Sequence, residues 1–315
     1  MCYEILPRDK RLIYAYDELQ SLTAKSVKSP EEIFGVDSNG LPRVVLKNEP
    51  NKPRQDIILN VCYRNSRPVL SSAHALGFRI YGELIQMFDN PELWTDIGYE
   101  VESGELKDDC RVVLKRSKEC SPEFLENHSS IDDLIIFKSF DNQIEQANWI
   151  AEQIKKNLED DELDFKDIIV IHTNPLKTRE AVGIVRYALA ELNINSHLAG
   201  VTTSPDEFFQ DNSITITSVF RAKGNEASMV YVMDGQNCGT NYSSLKSRNI
   251  LFTAMTRSKA WVRVTGYGEA MESLCSEYKQ IKDNDFKLRF VYPNKELRDL
   301  SLIHISEPTR LALIS

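Results

Sequence analysis

Four stretches of this sequence place cations, amides and a glycine where chemistry on phosphate groups would need them. Residues 60–70, NVCYRNSRPVL, set Tyr63 beside Arg64 just past the apolar run 57–61. A planar ring can stack on another ring, and a guanidinium can grip a phosphate through parallel N–H bonds. Arg67 is a nearby rival for that role. Residues 217–232, TSVFRAKGNEASMVYV, run strand, basic turn, strand. Gly224 would let the backbone approach a phosphate closely, although K-G-N-E alone is also an ordinary tight turn. Residues 248–264, RNILFTAMTRSKAWVRV, bring Arg257 to the start of an apolar strand. Residues 15–22, AYDELQSL, carry Gln20, whose amide both donates and accepts.

The elements that must hold these residues are short β-branched runs alternating with helical stretches. Strands are expected at 11–15, 57–61, 111–114, 133–137, 167–171, 213–218, 229–233 and 261–266. Several are almost continuously apolar, as strands of a parallel sheet covered on both faces are. Ile144, Ala147, Ala151, Ile154 and Leu158 mark a helix over 142–158, with Asn142 and Glu145 spaced as in a capping box. Val182, Val185, Leu189 and Leu192 mark a second helix over 178–192. The expected class is α/β, a mostly parallel sheet with helices on both faces. The motif segments are expected at strand ends along one edge of that sheet, where open α/β sheets place ligands. His74, on a helix after Arg64, reads as a packed residue.

The chain has 315 residues, 42% hydrophobic and 27% charged, which excludes disordered and collagen-like classes. No apolar run reaches the ~18 residues of a membrane span, and the first residues have no secretory apolar region. Six cysteines show no C-x-x-C spacing, so they read as free thiols in a reduced, cytoplasmic setting. A net charge of −9 argues against a broad basic nucleic-acid surface but leaves room for a narrow groove.

Taken together and in this order, the four segments resemble the later motifs of superfamily 1 helicases of the UvrD/Rep type, over roughly residues 11–268, most of the chain. Such enzymes couple ATP hydrolysis to movement along single-stranded nucleic acid. The resemblance implies a RecA-like motor domain. Gln20, in a segment similar to G-D-x-x-Q-S-I-Y, would link phosphate to nucleic acid; Tyr16 replaces the Gly, and Thr23 stands where the family has a stacking aromatic. Tyr63 would stack on adenine, and Arg64 would point at the γ-phosphate. In the stretch similar to T-x-H-x-A-K-G-x-E, Gly224 would approach phosphate and Glu226 would accept from the ribose hydroxyls. Ser218 and Lys223 would contact the nucleic acid there, and Phe220 replaces the His. Arg257, in a run similar to V-A-x-T-R-A, would be an arginine finger, so the catalytic set is Arg257, Arg64 and Gln20.

No G-x-x-x-x-G-K-[ST] phosphate loop occurs in the sequence. The expected organisation is therefore 1–26 as the end of a first motor domain, 27–56 as a connecting loop, and 57–299 as a second motor domain with a small insertion near 90–128. Residues 300–315 resemble translated sequencing-adapter read-through and are expected to be foreign to the fold. The cofactors implied are ATP and Mg²⁺, with the Mg²⁺ ligands expected on the absent N-terminal motor domain. The partners implied are single-stranded DNA or RNA and that motor domain, with no membrane. The leading expectation is a C-terminal helicase fragment that is inactive alone. The alternative is a catalytically lapsed motor-like interaction module in a repair or defence complex. An unrelated α/β enzyme would need a pocket of paired acid and base groups, which the sequence does not display.

Overall fold

A computed structural model describes residues 20, 22, 34–45, 50–52, 57–88, 90–204, 206–239 and 245–298. The expected strand at 11–15, most of the first motif and the tail 300–315 lie outside the described residues.

Two sheets are present among the described residues. The larger has six parallel strands: β3 (Ile135–Phe140), β4 (Ile168–His172), β5 (Ser196–Leu198), β6 (Ile214–Ser218), β7 (Ala227–Met233) and β8 (Ser258–Tyr267), in the spatial order β3-β8-β7-β4-β6-β5. Alternation of side chains along the strands serves two cores. Ile168 and Val170 join Ile150, Ile154, Val182, Val185 and Leu189 on one face. Those partners come from helices α2 (Gln143–Glu159) and α3 (Thr178–Glu191). Ile169 and Ile171 join Leu76, Leu251 and Leu274 on the other. There the cover is α1 (Arg67–Phe78), α5 (Leu245–Met255) and α6 (Glu269–Asp283). Both faces are thus covered, which is why β4 has no exposed position. The α/β fold with helices on both faces is as the sequence led one to expect.

The helix signals act as read. Asn142 Oδ1 accepts from the Ile144 and Glu145 amides, while Glu145 Oε1 accepts from the Asn142 side-chain amide rather than from its backbone. The strand expected from 133 starts at Ile135, because Ser130 caps a single helical turn over Ile131–Leu134. His74 is fully packed, with Nδ1 2.7 Å from the Tyr99 hydroxyl.

Two expectations need correction. Residues 57–61 form no strand: Ile57, Ile58 and Leu59 are exposed, so their apolar character does not mark a buried strand here. The strand expected at 111–114 belongs to a separate antiparallel sheet. There β1 (Tyr99–Gly104) and β2 (Arg111–Arg116) form a hairpin, and β9 (Leu288–Val291) pairs with β2. The stretch 90–128 therefore holds an integral layer, with Trp94 and Leu114 wholly buried. Charged residues on its outer side hid that layer in the sequence.

Candidate nucleotide and nucleic-acid interface

The parallel register fixes which residues share an edge. His172 lies level with both Ser218 and Met233, so β4, β6 and β7 finish together at a carboxyl edge. Ala227 lies level with Ser258, so β7 and β8 start together at an amino edge. Glu226 and Arg257 each immediately precede one of these strands. The Ala227 amide donates to the Arg257 carbonyl at 3.1 Å, which ties the two approaches together. The Asn65 side chain donates to the Ser258 carbonyl at 2.7 Å and draws the Tyr63-Arg64 segment to the same edge.

Seven of the eight expected residues lie there. Arg64 Nη1 donates to Glu226 Oε2 at 3.2 Å, and Lys259 Nζ sits 3.3 Å from the other carboxylate oxygen. Burial raises the Glu226 pKa, but the hydrogen bonds from Arg64 and Lys259 outweigh it, and the net position is below the ordinary carboxylate value. Arg64 Nε is buried with no acceptor, a donor left over in a cationic setting. Tyr63 is 87% exposed, so one whole ring face is open to solvent. Arg257 is buried; its Nε donates to the Thr253 carbonyl at 3.1 Å and its Nη2 to Gln20 Oε1 at 3.0 Å. Lys223 Nζ donates to the Gln20 carbonyl at 3.1 Å, so Gln20 joins Arg257 to the basic turn. Gly224 has φ +94°, where a side chain is strained, and a Cβ there would meet nothing within 4 Å.

Ser218 is not brought to this cluster. It ends β6 at the carboxyl edge and precedes the single-turn helix α4 (Val219–Ala222), whose far end delivers Lys223 and Gly224. The motif from Ser218 to Glu226 therefore crosses the sheet from one edge to the other. The expected gathering along one edge is corrected to two clusters joined by this crossing.

The carboxyl edge holds residues that sequence reading missed. The chain leaves β4 toward β5 through α3 and leaves β7 toward β8 through α5. These run in opposite directions, so adjacent β4 and β7 mark the topological switch point of the sheet. A polar cleft of about 320 Å³ opens there, lined by Asn174, Lys177, Asn237 and Tyr267. Beneath it His172 Nε2 lies 3.0 Å from Asp234 Oδ2, both side chains buried. The Thr173 hydroxyl donates to the Asp234 carbonyl, and the Asn237 side chain donates to Thr173 Oγ1. The two loops are thus bound to each other. The only sequence sign was a polar residue ending each of two apolar strands. On the same edge Phe220 is 41% exposed, with Lys246 Nζ 5.9 Å from its ring centroid.

Among the described residues no group of three or more His, Cys, Asp or Glu could hold a metal ion. Cys62, Cys110, Cys120, Cys238 and Cys275 are free thiols. No described helix is long and apolar enough to cross a membrane.

No curated protein matches the chain. Among solved structures, the C-terminal domain of a possible DNA helicase from Lactobacillus plantarum WCFS1 is 16% identical, over 47% of this chain and 83% of that one, with a TM-score of 0.34. Residues 213–265 match the family of the UvrD-like helicase C-terminal domain. That match spans Ser218 to Arg257, and with the parallel α/β sheet it supports a UvrD-like helicase C-terminal domain over those residues.

Proposed function

We propose that this chain is the C-terminal part of an ATP-dependent helicase, supplying one wall of an ATP site at its amino edge and a groove for single-stranded DNA or RNA at its carboxyl edge. The observation that carries the reading is the convergence of Tyr63, Arg64, Glu226 and Arg257 at one edge, with the Arg64 Nε still lacking an acceptor. A guanidinium with a spare buried donor fits a phosphate oxygen. The exposed Tyr63 ring fits a base, and the Glu226 carboxylate fits sugar hydroxyls. Arg257, held by Thr253 and Gln20, is a positioned cation of the arginine-finger type, whose charge offsets that of a transferring phosphoryl group. ATP supplies the phosphoryl group when bound, and Mg²⁺ would be held by a partner motor domain.

At the carboxyl edge Ser218 is the hydroxyl donor for a nucleic-acid phosphate. Lys177 adds charge, and the exposed face of Phe220 suits stacking on a base. Lys223 sits on the crossing between the edges. Without a phosphate loop in its sequence, the chain alone is expected to bind ATP weakly and not to hydrolyse it.

Titration with a fluorescent ATP analogue tests this reading, together with an ATPase assay with and without single-stranded DNA. Tyr63→Ala is expected to weaken the analogue but not inorganic tripolyphosphate, and Arg64→Ala to weaken both. Loss of neither, or ATP hydrolysis abolished by Arg257→Ala, would overturn it.

A further inference from the structure

Arg64 and Glu226 face each other before any ligand arrives. Their contact is 3.2 Å long, and the carboxylate is shared with Lys259 at 3.3 Å. The side chains are 28% and 44% exposed, so this is a partly solvated pair that an incoming anion can open. Resting on the nucleotide-site reading above, we infer that Glu226 is a built-in competitor for Arg64, so that polyphosphate binding must release the carboxylate and thereby free it for the sugar.

The physical argument is one of shared valence. A guanidinium has two bidentate faces, Nε with Nη2 and Nη1 with Nη2; in Arg64 the buried Nε turns the first away from an incoming ligand, and Nη1 of the second is spent on Glu226. A phosphate gripped in the bidentate manner uses two parallel N–H groups of one guanidinium. While Glu226 holds Nη1, that grip is incomplete. Once a phosphate takes it, Glu226 retains Lys259 but loses its second cation, and its oxygen becomes available to a hydroxyl donor. Phosphate and sugar recognition are then sequential steps of one exchange. A free triphosphate pays for the release without the sugar contact, whereas a nucleotide recovers it.

The test uses the full chain and sodium tripolyphosphate, which has no sugar, with affinity measured by calorimetry at low salt. Glu226→Gln is expected to raise tripolyphosphate affinity by about two- to five-fold, the range that an exposed ion pair supplies. Glu226→Asp keeps the charge but shortens the reach, and it is also expected to raise the affinity. Both gains are expected to vanish in an Arg64→Ala background, as a double-mutant cycle requires of a direct contact. A gain for Gln but not Asp, or one that persists without Arg64, would show only general repulsion and would overturn the inference. Tripolyphosphate binding that depends on Arg64 while neither Glu226 variant changes it would overturn the inference and leave the site reading standing. Binding indifferent to Arg64 would overturn both.

Discussion

The two edges of the parallel sheet are built on opposite principles. At the carboxyl edge His172 and Asp234 are buried against each other, and the loops after β4 and β7 are tied through Thr173 and Asn237. At the amino edge Arg257 and Asn65 are buried too, but the contacts of Glu226, with Arg64 and with Lys259, run between half-exposed and exposed side chains. One edge is a fixed frame whose polar groups hold each other. The other has groups that can exchange partners when an anion arrives. On the function proposed above, the rigid edge suits a long strand and the yielding one a compact charged ligand.

Stability should separate the edges most. His172→Ala removes the partner of a buried carboxylate, and a cost of about 3 kcal/mol is expected. For a domain of this size that lowers the thermal midpoint by roughly 6–12 °C. Arg64→Ala opens a partly solvated pair and should cost less than about 1 kcal/mol. Equal losses in a thermal melt would break the distinction.

Acid should act on the buried interior before it acts on the amino edge. Burial, and to a lesser degree the Arg116 charge, lower the His74 pKa to about 3. The unfolded chain takes up that proton below pH ~6.5 while the folded chain does not, so stability falls as pH drops from about 6.5 toward 3. At pH 5 the loss is expected to be about 2 kcal/mol. His74→Gln should flatten this limb in melts recorded from pH 7 to 4.5, and an unchanged limb would assign it elsewhere. The Glu226 pKa also lies below its ordinary value, here because burial, which raises it, is outweighed by the bonds from Arg64 and Lys259 to its charged form. Its stabilisation is present above the ordinary carboxylate range and is lost as pH falls through the lowered folded value.

The smallest effect is expected for Glu226→Gln, which should change stability by less than about 1 kcal/mol because both partners are partly in water. A larger loss in chemical denaturation would make the amino edge a structural brace rather than an exchangeable one.

Much of this was legible in the sequence, and the illegible part has physical causes. Strands such as 167–171 and 229–233 are apolar throughout because both faces are covered, so their periodicity and composition agreed. Motif order singled out Arg64 and Glu226 separately, but their direct contact is seen only in the fold. The two-edge split follows from whether a motif precedes or follows its strand, a distinction that the expectation of a single edge did not draw. Ser218 follows a strand, whereas Glu226 and Arg257 precede theirs. The run 57–61 looked like a strand since Ile57, Ile58 and Leu59 are apolar, yet exposure is set by tertiary context. His172 and Asp234 carried no motif and became visible only when the register set them side by side.

Amide hydrogen exchange of the full chain, with sodium tripolyphosphate and separately with a single-stranded oligonucleotide, tests the separation of the edges most directly. Tripolyphosphate is expected to slow exchange at 63–65, 223–227 and 256–259, and the oligonucleotide at 172–177, 218–221 and 234–237. Protection by both ligands at the same edge, or a reversal of the two patterns, would contradict it.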